Sequence, residues 1–100
     1  TADYTSVSVA KASKIVTAQD VSAADSTQTL VMAANTARRA ALVTNTDDAA
    51  TVRVGDDSTA ADQGTPLGPG QQITYESTAA IYVYNDSGAA VTIALSWTED

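Results

Sequence analysis

The sequence predicts an all-β fold: a small antiparallel, jelly-roll-like β-sandwich of about seven or eight strands with an extended N-terminal arm. Three observations carry that prediction. Apolar and polar residues alternate with a period of two, most clearly through Ile81 and Val83 and again through Val91, Ile93, Leu95 and Trp97. No stretch keeps the i, i+3, i+4 spacing of an amphipathic helix. Clusters of Gly, Pro, Asn and Asp interrupt the chain at short intervals, as turns require. One hundred residues make one domain, 1–100, of which 1–20 is expected to form the arm.

In chain order, Thr1 to Asp20 alternate only weakly, with Thr5, Val7 and Val9 opposite Ser6 and Ser8, and Ile15 and Val16 between Lys14 and Thr17. These residues read as low-burial strands or an arm. Asp20 to Asp25 carries short polar and β-branched residues that disfavour a helical turn, so it reads as loop, continued by the polar linker Ala23 to Thr27. Thr29 to Ala33 is a compact apolar strand, and Ala34, Asn35 and Thr36 turn the chain toward Arg38. Ala40 to Thr44 is a second β-rich run, stopped by Asn45, Thr46, Asp47 and Asp48, and Thr51 to Val54 then alternates around Arg53. This pair predicts a hairpin. A Gly- and Pro-rich loop from Gly55 to Gly70 leads to a strand at Gln72 to Tyr75. The turn Asn85-Asp86-Ser87-Gly88 predicts a second hairpin between Ile81–Tyr84 and Val91–Trp97, with Trp97 on the core face. Ala41 to Asn45 followed by Ala49-Ala50 echoes Ile81 to Asn85 followed by Ala89-Ala90, which reads as two hairpins with similar turn chemistry.

The composition limits both core and chemistry. Alanine supplies much of the 44% hydrophobic content, Phe is absent, and Trp and Met occur once each, so the core is thin and association is expected to complete the burial. With no Cys there are no disulfides or thiolate metal sites, and with no His the commonest general base and transition-metal ligand are missing. The expectation is a protein that is not an enzyme. A net charge of −7 and a pI near 4.1 oppose binding to nucleic acid, and Lys11, Lys14, Arg38, Arg39 and Arg53 form no basic run. No apolar stretch is long enough for a membrane span, and the N-terminus lacks the pattern of a signal peptide, so a start at Thr1 is expected to follow removal of an initiator Met.

Several motifs invite a functional reading. Asp56-Asp57-Ser58 with Asp62 could offer oxygen ligands to Ca²⁺, but the spacing does not match an EF-hand, and a solvated loop without metal is expected. Asp86-Ser87-Gly88 shares a triplet with aspartic proteases without the second carboxylate or the bilobal framework, and reads as a turn. Asn85-Asp86-Ser87 fits the N-glycosylation pattern and reads as the same turn. Gly64 to Gly70 lacks the Lys-Ser/Thr ending and the helix of a phosphate-binding loop. Tyr75, Tyr82, Tyr84 and Trp97 could together form a sugar-binding platform, against ordinary sheet packing or a subunit interface. No catalytic, cofactor-binding or metal site is expected.

The stretch from Arg38 to Tyr75, continued by Ala79 to Trp97, resembles small β-sandwich proteins of tailed-phage structural gene clusters. The resemblance rests on a basic-led strand ending in Asn (Arg39 to Asn45), a Val-rich strand ending in Gly-Asp (Val52 to Asp56), a loop ending in Pro-Gly (Pro66 to Gly70) and a final aromatic-containing hairpin (Ile81 to Trp97). It covers about the last two-thirds of the chain. It implies a virion component located on the capsid surface, a decoration or cement protein that binds the major capsid protein between neighbouring subunits and associates as a trimer. A tail- or head-fibre component and a carbohydrate-binding module are the alternatives.

Overall fold

The computed structural model describes residues 14–100, which form nine β-strands and no helix. The strands are β1 (Lys14–Thr17), β2 (Val21–Ala23), β3 (Thr27–Met32), β4 (Arg38–Asn45), β5 (Val52–Gly55), β6 (Thr65–Leu67), β7 (Gln72–Tyr75), β8 (Ile81–Asn85) and β9 (Val91–Glu99). One sheet has the order β1/β2–β9–β4–β7 and the other β3–β8–β5–β6, with every ladder antiparallel. We call these sheet A and sheet B. Since β1 and β2 share one edge of β9, the sandwich has eight strand positions, in the order of a jelly roll.

The alternation read from the sequence places the core correctly. Val43, Val52, Val54, Val83, Val91 and Ile93 are fully or almost fully buried between the sheets, joined by Ile81, Leu67, Leu95, Met32 and Val31. One inward row runs Val16, Trp97, Ala41, Tyr75 across sheet A. The fully buried Ala41 leaves room for an aromatic ring on either side, and both rings pack against the core.

The pairing differs from the expectation. Ala40–Thr44 with Thr51–Val54, and Ile81–Tyr84 with Val91–Trp97, are not hairpins. β4 lies in sheet A and β5 in sheet B, and β8 and β9 are likewise split, so both Asn-led connections are corners that cross the sandwich. Alternation assigns a residue to a face, but it does not name the neighbouring strand. Among the described residues, the one ladder between consecutive strands is β5–β6. Other boundaries move as well. Asp20–Asp25, expected as loop, contains β2, and the expected Gly55–Gly70 loop contains β6 with Pro66 on the sheet edge. Of the arm expected over 1–20, residues 14–17 are paired with β9, and 1–13 lie outside the described residues.

The internal echo has a structural meaning. β2–β3–β4–β5 and β6–β7–β8–β9 are equivalent units, and exchanging them carries one sheet onto the other. Asn45 and Asn85 end the third strand of each unit and are both wholly buried. Asn45 Nδ2 donates to Ala50 O (2.8 Å) and Leu67 O (3.0 Å), while Oδ1 accepts from Asp47 N (2.9 Å). Asn85 Nδ2 donates to Ala89 O (2.7 Å) and Ala23 O (2.8 Å), while Oδ1 accepts from Ser87 N (3.0 Å). Leu67 and Ala23 are the last residues of β6 and β2, so each asparagine ties its corner to the first strand of the other unit. The correspondence extends to the backbone: Gly70 N donates to Asn45 O and Ser26 N to Asn85 O, both from positive φ (70° and 54°).

Candidate interaction faces

The polar side chains singled out by sequence are engaged in holding loops. Asp56 Oδ1 accepts from Ser58 N, and its carbonyl accepts from both Thr59 N and Thr59 Oγ1. Asp57 contributes its carbonyl to Gln28 Nε2, and Asp62 is exposed in the same connection. No group of three or more His, Cys, Asp or Glu side chains among the described residues is arranged to hold a metal. In the Asp86-Ser87-Gly88 turn, Ser87 Oγ donates to Ala89 O and Gly88 N to Asp25 Oδ1, while Asp86 is exposed. Asn85 is buried with its Nδ2 already donating twice, so the sequon presents no amide nitrogen to solvent. Asp47 Oδ2 accepts from Ala49 N and Ala50 N, which lowers its pKa below the ordinary range.

At the end of the sandwich away from the two corners, Arg38 is 2% exposed, and its guanidinium donates to the carbonyls of Ser77, Ala33 and Ala79. It therefore ties the β3–β4 and β7–β8 connections together. Burial lowers its pKa, and no carboxylate lies within ion-pair distance of it among the described residues. Beside it, Glu99 Oε2 accepts from Trp97 Nε1 (2.7 Å) and Asn35 Nδ2 (2.8 Å), and Oε1 sits 3.2 Å from Lys14 Nζ. These contacts, the indole first, hold the Glu99 pKa below its ordinary value. Sequence reasoning missed both arrangements: β9 was expected to end at Trp97, and Arg38 gives no sign in sequence of pointing inward.

A groove of about 510 Å³ opens between the β1–β2 edge and the end of β3, floored by Val31, Met32, Leu95 and Trp97. Its polar lining is Gln19, Asn35, Thr36 and Arg38, and the side-chain donors of Arg38 and Asn35 are directed at carbonyls and at Glu99. Its one charged lining group, Arg38, is thus engaged with the protein itself rather than turned to a ligand.

The four aromatic residues do not form one platform. Tyr75 and Trp97 pack inward against the core, whereas Tyr82 and Tyr84 alternate with buried Ile81 and Val83 and point to the outside of sheet B. That outer face carries the rows Leu30, Tyr82, Gly55 and Gln28, Tyr84, Arg53, Pro66. The β5–β6 connection folds back over it: Thr59 is buried above Gly55, and Gln28 Nε2 reaches across to Asp57 O (2.7 Å) and Thr59 O (3.1 Å). A Cβ on Gly55 would stand 2.8 Å from Thr59 Oγ1, so the close approach of this loop requires glycine there.

Sheet A has no such cover among the described residues. Its outward rows are Ile15, Thr98, Ala40; then Thr17, Ser96, Leu42, Thr74; then Ala94, Thr44, Gln72; and at the corner end Ser22, Thr92. None of these side chains is charged; the exposed Arg39, in β4 beside Ala40, is paired with Asp100 at 2.8 Å. The acids lie elsewhere: Asp20, Asp25, Asp47, Asp48, Asp56, Asp57, Asp62, Glu76, Asp86 and Asp100 all fall outside the strands, and Glu99 is the last residue of β9. The acids of the described residues therefore form a rim around two broad faces without acids, one of them partly covered and the other without cover from the described residues.

No family model, curated protein or solved structure matches this chain significantly.

Proposed function

We propose that this protein is a non-enzymatic structural component of a virion, which decorates the outer surface of a phage capsid and stabilises contacts between major capsid subunits. The observation that carries the adhesive part of this reading is the outer face of sheet A, which the described residues leave uncovered and which has no charge apart from the Arg39–Asp100 pair, within an acidic rim. Charge depletion over a flat surface is the compositional mark of a protein interface core. The buried polar side chains support the same reading, because Arg38, Asn45 and Asn85 spend their donors on the carbonyls of corners and loops. The phage capsid is the concrete partner that the resemblance of the strand and loop pattern supplies.

The test is addition of purified protein to phage heads that lack it. The expected outcome is binding to assembled heads but not to free capsid subunits, with a higher disruption temperature, as mass action on a site shared between subunits requires. Label found only at the tail tip would assign the protein to a fibre. Heads equally robust with and without it would refute the reading. A hydrolase activity abolished by Asp56→Asn or Asp86→Asn would refute its non-enzymatic part.

A further inference from the structure

We propose that the outer face of sheet A is a homotypic interface, on which a second copy of this chain packs face to face about a two-fold axis. The inference rests on the adhesive reading of that face and does not require the capsid. Three features of the face point to a second copy as its occupant.

The first is that the face is complementary to itself in shape. Ile15 stands out from the edge with 77% of its surface exposed. Next to it lies a shallow hollow of about 250 Å³ formed with Ala40, Leu42, Thr74, Ser96 and Thr98, where small residues form the floor and Leu42 one wall. A two-fold operation that seats Ile15 of one copy in the hollow of the other seats the reciprocal pair as well, as an isologous contact demands.

The second is charge. A face whose one charged side chain, Arg39, is already paired with Asp100 meets its own copy without burying an unpaired charge, whereas the loops and ends of two copies, which hold the other acids, would repel if apposed. Face-to-face packing is the arrangement that keeps those acids at the periphery of the contact.

The third is area. With strands about 4.8 Å apart and about 3.4 Å per residue, the lengths of β1, β2, β9, β4 and β7 give a face of roughly 450 Å², or about 900 Å² for the pair. That lies below the about 1,000–1,200 Å² of a stable specific interface, so the pair is a weak, concentration-dependent dimer. It replaces the trimer expected from the resemblance, and mass distinguishes the two.

The experiment is sedimentation equilibrium of the full chain over a range of concentration and salt, without heads. The expected result is a monomer–dimer equilibrium that tightens several-fold when NaCl rises from about 50 to 500 mM, because salt screens repulsion between the two acidic rims. Ile15→Glu and Thr74→Glu, both at exposed positions, should each weaken the dimer about tenfold or more by setting like charges across the contact, with the unfolding temperature unchanged. Asp20→Asn and Glu76→Gln should tighten it. A monomer at every concentration overturns the proposal, and so does a trimer. A dimer that survives both face variants, or one that salt weakens, also overturns it by placing the contact elsewhere. A monomeric chain that adds to heads and loses that ability with Ile15→Glu would give the face to the capsid instead. Failure to add to heads while the dimer behaves as described would refute the capsid reading alone.

Discussion

Replacing Asn45 tests whether a buried side-chain amide holds the corner between the sheets. Asn45→Ala removes three hydrogen bonds, to Ala50 O, Leu67 O and Asp47 N. At about 1 kcal/mol net each, with up to about 2 kcal/mol more for the acceptor at Leu67 that loses its partner, the cost is about 3–5 kcal/mol. That is a large part of the roughly 5–15 kcal/mol that stabilises a typical domain, and at about 4–8 °C per kcal/mol it should lower the unfolding temperature by at least about 12 °C. Asn45→Asp sharpens the test. The new carboxylate keeps the acceptor for Asp47 N but sets an oxygen against the carbonyls of Ala50 and Leu67, so its folded pKa rises above the unfolded value of about 3.9. Only the protonated form can donate to one of those carbonyls. The native state then binds the proton more firmly than the unfolded state. The deficit relative to the parent chain should therefore be smallest below pH of about 4 and grow as pH rises toward the folded pKa. Thermal unfolding followed by circular dichroism from about pH 3 to 8 reads both effects. A loss under about 5 °C for Asn45→Ala, or an Asn45→Asp deficit that does not depend on pH, would refute the role given to the corner asparagine.

Two further outcomes are expected. The lowered pKa of Glu99 means that its contacts stabilise the fold above the ordinary glutamate pKa of about 4.3, and that this contribution is lost as pH falls through the depressed value. Glu99→Gln should flatten the acid side of the stability curve between about pH 2 and 5, and an unchanged slope in acid-unfolding titrations would count against the Trp97–Asn35–Lys14 grouping. Ser26 stands with φ at 54° where the equivalent unit has Gly70, so Ser26→Gly relieves a left-handed backbone. It should raise the unfolding temperature by a few degrees, corresponding to about 0.5–1 kcal/mol, and a decrease would argue against the equivalence of the two units.

The residues that define faces were legible in the sequence, whereas those that define neighbours were not. Val91, Ile93, Leu95 and Trp97 declare an inward side because only one side of their strand is apolar, and the structure puts them there. Nothing in that pattern says that β9 lies between β4 and the β1–β2 edge. A six-residue Asn-led turn suits a hairpin and a corner equally well. What decides between them is the destination of the Asn45 and Asn85 amides, which reach carbonyls on distant strands. β2 and β6 escaped notice because three residues are too few to show a period, and Pro66 argued against a strand. The uncharged face was recoverable in principle, since Thr92, Ala94, Ser96 and Thr98 are the alternate positions of a strand whose other side is core. The cover over sheet B was not, because it depends on Gln28 meeting the carbonyls of a loop distant in sequence.

The sheet edges give the bare face its significance. A sandwich of this kind has four, and each unpaired edge can recruit another strand unless something prevents it. In β6, Pro66 removes a backbone donor. In β3 the register breaks between Leu30 and Met32. The edge along β9 is divided into β1 and β2 by Ala18, Gln19 and Asp20. The fourth edge, β7, is four residues long and is followed directly by Glu76. Indefinite edge-to-edge growth is therefore discouraged on every side, and the acids concentrated in the loops repel a second copy that approaches end-on. Among the described residues, the outward face of sheet A is the direction in which neither edge geometry nor the loop acids oppose contact, which is why the proposed association is placed there.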